Sequence, residues 1–455
     1  MFELVIKNGM VVDALNKLFS PCCIGISGGK IAAISIEDIR GEQVIDAAGM
    51  VVSPGFIDIH MHEDPLREKN GMKEIEENIF NSMALMGVTT CVGGNCGMGM
   101  PDLEGYLTAI DNFGLPVNFA TFLPYTTLRE KIGGTNNYLA NTSDENEKLK
   151  ELLRAGMAAG AVGLSFGLEY IPGCPTNELI EMAKVVGEFP GRLVAAHYRS
   201  DAGGGIESIK ELSYISWVAD VPMQISHIGS CTAFGMMRKG LETVDQARKL
   251  GIDIMADCYP YAAFCTYIGS AVFDEGCFAR WGTDYSSIEP AEGKYKGSPC
   301  SRETFEYLRV REPNTLVVAH VLNKDEVLEA LAHPLVMVGS DGLLNGRKGH
   351  PRASGAFPRV FAHYVRELKG LSLMEAILKM TLMPAQRLGL KTKGQLTLGN
   401  DADISIFDPD KIVDKATYTD PVAPPEGIAY VLVNGKMVVA DGQLTGVKPG
   451  KTLRF

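Results

Sequence analysis

Histidine is scarce here: eight in 455 residues. Two of them two residues apart, as in His60-Met61-His62, therefore stand out. Excess positive charge is also missing. Forty-three Lys and Arg face 55 Asp and Glu, giving a net charge of −12 and a pI of about 5.3. That balance argues against a nucleic-acid partner and for plain solubility. No apolar run approaches the ~20 residues of a membrane-spanning helix, so no membrane partner is expected. Met1 to Lys7 reads as a short strand and not as a secretory leader. The ten cysteines are scattered, several inside apolar runs (Cys91, Cys258, Cys265). Without a leader they read as reduced thiols in a cytoplasmic protein. Cys22-Cys23 reads as core or surface thiol and not as a ligand pair.

What is present is an ordinary globular composition, 46% hydrophobic and 22% charged. The length exceeds one typical domain, though an α/β barrel can form one large unit. Residues 1 to about 52 alternate short apolar runs with glycines, as a small β-sheet does. The C-terminus repeats that texture. Val5 to Val12 and Leu432 to Val439 look alike, and both read as hairpins with Asn-Gly turns. The expectation is a small β-sandwich domain built from both termini, 1–52 plus 396–455.

Between them, 53–395, strands alternate with helices. Strand-like runs are Phe56 to His62, Val88 to Cys96, Val117 to Tyr125, Ala161 to Leu168, Arg192 to Arg199, Val221 to His227, Ile252 to Tyr261 and Leu335 to Asp341. Helical patterns between them include Lys73 to Met86, Glu145 to Ala159, Asn177 to Glu188 and Gly240 to Leu250. Eight such strands predict an α/β fold of the (β/α)8 TIM-barrel kind. A ninth run, Thr315 to His320, exceeds the count. It follows a polar stretch near 269–314, read as an insertion over the barrel mouth. One helix is expected over Ser372 to Leu388.

In a barrel of this kind the C-terminal strand ends carry the chemistry. Those ends supply His60 and His62, Cys96, His197, His227 and Asp341. His60 and His62 share one face of an extended strand. Singly, each residue has a plainer reading: Cys96 as a small buried hydrophobe, His197 and His227 as core histidines, Asp341 as a turn residue. Together, imidazoles and a thiol suit zinc, which accepts both nitrogen and sulfur.

Gly55-Phe56-Ile57-Asp58-Ile59-His60-Met61-His62 and Gly399 to Phe407 resemble the amidohydrolase superfamily over nearly the full length. Gly94-Asn95-Cys96-Gly97, Ala196-His197-Tyr198-Arg199-Ser200, Ile225-Ser226-His227, Tyr259-Pro260-Tyr261 and His350-Pro351-Arg352 resemble its N-acyl-D-amino-acid deacylase (D-aminoacylase) group. The resemblance implies a tight Zn2+ on Cys96, His197 and His227. It implies a second, weaker site at His60 and His62. Asp341 would be the general acid/base. Arg352, with a hydroxyl from Tyr259 or Tyr261, would hold the substrate α-carboxylate. The partner implied is a small N-acylated amino acid; the oligomeric state stays open. Two lysines of the wider group are missing. Strand 6 has His227-Ile228-Gly229-Ser230 where members often carry His-His-Lys. Strand 4 offers no lysine for a carboxylated metal bridge, and Glu169 there is expected to contact a neighbour.

Alternatives are a cyclic amidohydrolase of the hydantoinase or dihydroorotase kind, a D-peptide hydrolase, and a non-catalytic scaffold. Cys96 and the missing strand 4 lysine weigh against the first. The full set of ligand types weighs against the last.

Overall fold

The computed structural model describes residues 1–69 and 72–455. At its centre run short parallel strands. Phe56–Asp58, Val88–Gly93 and Asn118–Thr121 pair side by side. Leu123–Pro124 carries the third past Phe122 to pair with Gly163–Gly167. Pairing continues through Leu193–His197, Met223–Ile225 and Ile254–Cys258 to Val336–Val338. A parallel bridge between Met61 and Gly342 ties the last strand's exit to the first. There Asp341 N–H donates to His60 O (2.7 Å) and His62 N–H to Gly342 O (2.9 Å). These strands are buried almost throughout, which is why they read as continuous apolar runs.

The helices Ser143–Ala158, Thr176–Gly187 and Met237–Lys249 fall within a few residues of their sequence patterns. A Thr142/Glu145 capping box starts the first of them. The stretch from Lys73 to Met86 is not one helix. Met72–Ile75 is a strand paired antiparallel with Leu66–Lys69, and the helix spans only Asn78–Leu85. Ile75 and Ile79 are both buried, so a helical spacing arose from two elements in sequence. The helix expected over Ser372 to Leu388 breaks at Thr381 into Leu373–Met380 and Leu382–Arg387. Pro384 has no N–H for the carbonyl of Met380, so the ladder cannot continue. The first strand likewise ends at Asp58, and His60 and His62 lie in the segment beyond it.

The ninth run is accounted for. Leu316–Ala319 is the middle strand of a separate antiparallel sheet, between Phe264–Tyr267 and Ile288–Pro290.

The two ends of the chain interleave. Met10–Asp13 and Val51–Pro54 share a seven-stranded sheet with Ile404–Phe407, Ile428–Val433 and Lys436–Ala440. A four-stranded sheet of Phe2–Lys7, Cys23–Ser27, Lys30–Ser35 and Gly41–Asp46 shares an apolar core with it, including Ile6, Ile24, Val52, Ile404 and Leu432. Asn434-Gly435 does turn a hairpin, with φ of 49° and 74°. Asn8-Gly9 does not. Phe2–Lys7 and Met10–Asp13 pair in different sheets, so Asn8 (φ 61°) steers the chain from one sheet to the other. A side chain at Gly9 would meet Val52 Cγ2 at 2.5 Å, so the crossing needs glycine.

Candidate metal centre

His60, Cys96, His227 and Asp341 converge, their ligand atoms all within 4.8 Å of one another, and all four are buried. Cys96 Sγ lies 3.3 Å from both His60 Nε2 and His227 Nε2. Three of the four sit in left-handed backbone: Cys96 (φ 53°), His227 (φ 33°) and Asp341 (φ 49°). Such conformations cost about 1–3 kcal/mol each in a residue with a side chain. Here each occurs just past a strand, where the chain swings its side chain inward.

The imidazoles are oriented from behind. His60 Nδ1 meets Asp257 Oδ1 at 2.9 Å, His227 Nδ1 meets Ser230 Oγ at 2.7 Å, and His197 Nε2 meets Glu169 Oε2 at 2.9 Å. A proton on each of these nitrogens leaves the opposite one with its lone pair free. For His60 and His227 that nitrogen faces Cys96. For His197 it is Nδ1, buried and without a hydrogen-bond partner. A free lone pair buried at 6% exposure is costly unless an acceptor-seeking group meets it. Thiolate sulfur plus imidazole nitrogens so arranged fit a zinc-type cation.

The charges agree. Burial pushes the Cys96 thiol up, but the neighbouring His60 and His227 imidazoles outweigh it and hold it well below the usual thiol range. Burial opposes charge on His60, yet Asp257 and Cys96 raise it well above its ordinary value. Against the same opposition, Asp341 and Cys96 raise His62 to about 9, and Cys96 and Glu169 raise His197 to about 10. The pocket thus draws positive charge in around an anionic sulfur, a place that a divalent cation would take over from the imidazole protons.

Asp341 sits between two kinds of partner. Its Oδ1 is 3.1 Å from His62 Nε2 and 3.5 Å from His60 Nε2; its Oδ2 is 2.9 Å from Arg352 Nη1. Burial raises the carboxyl, but Arg352 and the histidines hold it well below the usual range. Arg352 is 1% exposed, lies 4.5 Å over the Tyr259 ring, and donates through Nη2 to Cys265 O at 3.2 Å. Its Nε and Nη1 have no aligned acceptor, so the Nη1–Asp341 contact is an ion pair without hydrogen-bond geometry. Tyr259 brings a buried hydroxyl without a partner. Tyr261 turns elsewhere, donating to Asp414 Oδ2 at 3.1 Å.

A small cavity opens onto this cluster, lined by Glu169, Tyr170, Asp201, Ser230, Phe264 and Val272 among others. Several residues of the cluster, its supports and the cavity are not singled out by the sequence. Asp257, an acid inside an apolar strand, was the most legible. Ser230, Cys231 and Asp201 carry no local signal. Cys231 Sγ lies 3.7 Å from His227 Nδ1. Glu169 contacts its neighbour His197, as expected. At the position of the missing lysine, a side chain on Gly229 would start 2.8 Å from Cys258 Sγ.

Buried imidazoles, a thiol and a carboxylate gathered where parallel strands end define a metal-dependent α/β enzyme. Residues 51–438 match the Amidohydrolase family. The chain belongs to that family. It is 30% identical to the D-aminoacylase of Alcaligenes xylosoxydans xylosoxydans, over 99% of this chain and 97% of that one. Among solved structures it resembles the N-acyl-D-glutamate deacylase of Bordetella bronchiseptica, complexed with zinc and a phosphonate mimic of the reaction's tetrahedral intermediate. That match has a TM-score of 0.87, 30% identity and full coverage of both chains. A D-aminoacylase structure concerned with a binuclear metal centre matches at TM-score 0.87 and 27% identity, again over both full chains.

Proposed function

We propose that this protein is a zinc-dependent hydrolase that cleaves N-acyl-D-amino acids to a carboxylate and a free D-amino acid. The observation that carries this is the convergence of the His60 and His227 Nε2 atoms on Cys96 Sγ, each imidazole held from behind by Asp257 or Ser230, in a family member whose relatives at 30% identity are deacylases. Cys96, His197 and His227 would hold the tight zinc, and His60 and His62 a second, weaker site. Zinc so held polarises a carbonyl and acidifies water. The fold supporting this is read as a closed (β/α)8 barrel, 53–395. Residues 1–52 and 396–455 form the small β domain, and the segment near 269–314 covers the mouth. Ten free thiols suit a reducing cytoplasm. Among the described residues, no helix is long and apolar enough to cross a membrane.

This chain's own groups divide the remaining work. Arg352, buried and short of acceptors, is the fork for the substrate α-carboxylate, with the Tyr259 hydroxyl beside it. Asp341 takes the proton from the attacking water as it adds to the amide carbon. It then returns that proton to the departing amine nitrogen, which must be protonated to leave. His62, 3.1 Å from Asp341, orients that carboxylate. Phe264 and Val272 narrow the cavity and exclude bulk water.

The test is a panel of N-acetyl-D- and N-acetyl-L-amino acids with hydantoins, run beside metal analysis. Hydrolysis of the D-series with zinc bound is expected. Turnover of hydantoins alone would overturn the reading.

A further inference from the structure

A second cavity, of about 220 Å³, begins at His62 and shares no lining residue with the first. His62, which lines this cavity, touches Asp341, which lines the first. Its wall is Pro65, Met98, Met100, Tyr267, Leu343 and Leu344. Most of its polar groups are engaged, Glu76 Oε2 being buried without a hydrogen-bond partner. Glu63 accepts from Gly94 N–H (2.7 Å) and Met100 N–H (3.3 Å), and Arg67 pairs with Glu76 at 2.7 Å.

We propose that this cavity is the acyl subsite, and that it takes straight acyl chains longer than acetyl. The proposal rests on the deacylase reading and extends it to the half of the substrate that reading leaves open. Arg352 contacts Asp341 and the carbonyl of Cys265, both of which line the first cavity, so the carboxylate end of the substrate belongs there. The scissile carbon must sit beside Asp341 and the imidazoles. From that carbon the acyl group points away from the amino acid, and the space that opens from His62 receives it. An acetyl group would leave most of that volume to water against thioether and leucine side chains. Methionines suit such a wall because their unbranched chains repack around varied shapes. The described lining offers no free cation to an anionic acyl group, its one arginine being paired with Glu76.

The experiment uses the zinc-loaded enzyme and N-acetyl, N-butanoyl, N-hexanoyl and N-octanoyl derivatives of one D-amino acid. Each buried methylene is worth about fourfold in binding. Accordingly kcat/KM is expected to rise at least tenfold from acetyl to hexanoyl, and hexanoate is expected to inhibit at lower concentration than acetate. A flat or falling series overturns the subsite, as does a preference for an N-glycyl over the N-hexanoyl substrate. Met100→Glu is expected to lower the hexanoyl-to-acetyl ratio tenfold or more. Leu343→Glu is the second probe should the first variant fold poorly. An unchanged ratio in a folded variant overturns the assignment. Hydrolysis of hydantoins with no member of the series turned over would remove the deacylase reading itself, and the subsite with it.

Discussion

Cys96 does two jobs at once: it is the sulfur on which His60 and His227 converge, and its left-handed backbone aims it there. Cys96→Ala is expected to abolish tight zinc and activity together; full zinc content in that variant would exclude the thiol as a ligand. Asp341→Asn separates holding from proton transfer. Zinc content is expected to persist while turnover falls about 10²-fold or more, the scale of a lost general acid/base. Loss of zinc would make Asp341 a ligand. Asp257 serves two histidines, accepting from His227 N–H at 2.8 Å as well as contacting His60 Nδ1. Asp257→Asn is expected to weaken metal affinity about 10–100-fold, read by titration against a chelating dye. The types and strand-end positions of the candidate donors were legible in the sequence, because histidine is rare and strand ends are countable. The partners behind them were less so. Glu169 and Asp257 act through contacts between different strands, and which histidine each would hold is something spacing along one strand cannot express.

The polar segment near 269–314 stands out in the sequence because it interrupts the strand–helix alternation. Its packing does not. Its helix Cys277–Trp281 places Trp281 Nε1 on Asp201 Oδ2 and Arg280 Nε on Asp201 Oδ1 at 2.7 Å; Arg280 Nη2 lies 3.6 Å from Glu169, which in turn holds His197. The segment is thus tied to the back of a candidate ligand. Arg280→Met is expected to lower kcat/KM about 10–100-fold by misplacing the cavity wall, with zinc content unchanged. Equal activity would show that these contacts do not shape the site. The Lys73 to Met86 stretch shows how periodicity misleads: a strand and a helix laid end to end can both point apolar residues at one core and mimic a single period.

The small sheets and the parallel core are joined by one buried carboxylate. Asp403 accepts from Lys393 Nζ (2.6 Å), Asn118 Nδ2 (3.1 Å) and Asn434 N–H (2.6 Å), linking a central strand to the C-terminal hairpin. Lys393→Met leaves that charge buried and unpaired. It is expected to cost about 3–5 kcal/mol, measured by urea unfolding. The neighbouring Asp401 is raised by burial but pulled down to about 2 by Lys393, Lys30 and Thr392. A depressed carboxyl stabilises the fold above its ordinary value of 3.8 and loses that contribution as pH falls toward about 2. Unfolding midpoints are therefore expected to drop between pH 4 and 2, and to drop less in Asp401→Asn.

The partner of Val52 is Ile406, about 350 residues further along. On a ribosome adding 5–20 residues per second, the N-terminal strands wait roughly 20–70 s for the strand that completes their sheet. Throughout that interval Val51–Pro54 offers an unpaired, apolar edge, the kind that recruits foreign strands. Yield in a cell is then set less by the finished protein's stability than by what shields that edge during synthesis. Slower translation of the middle of the chain would lengthen the exposure.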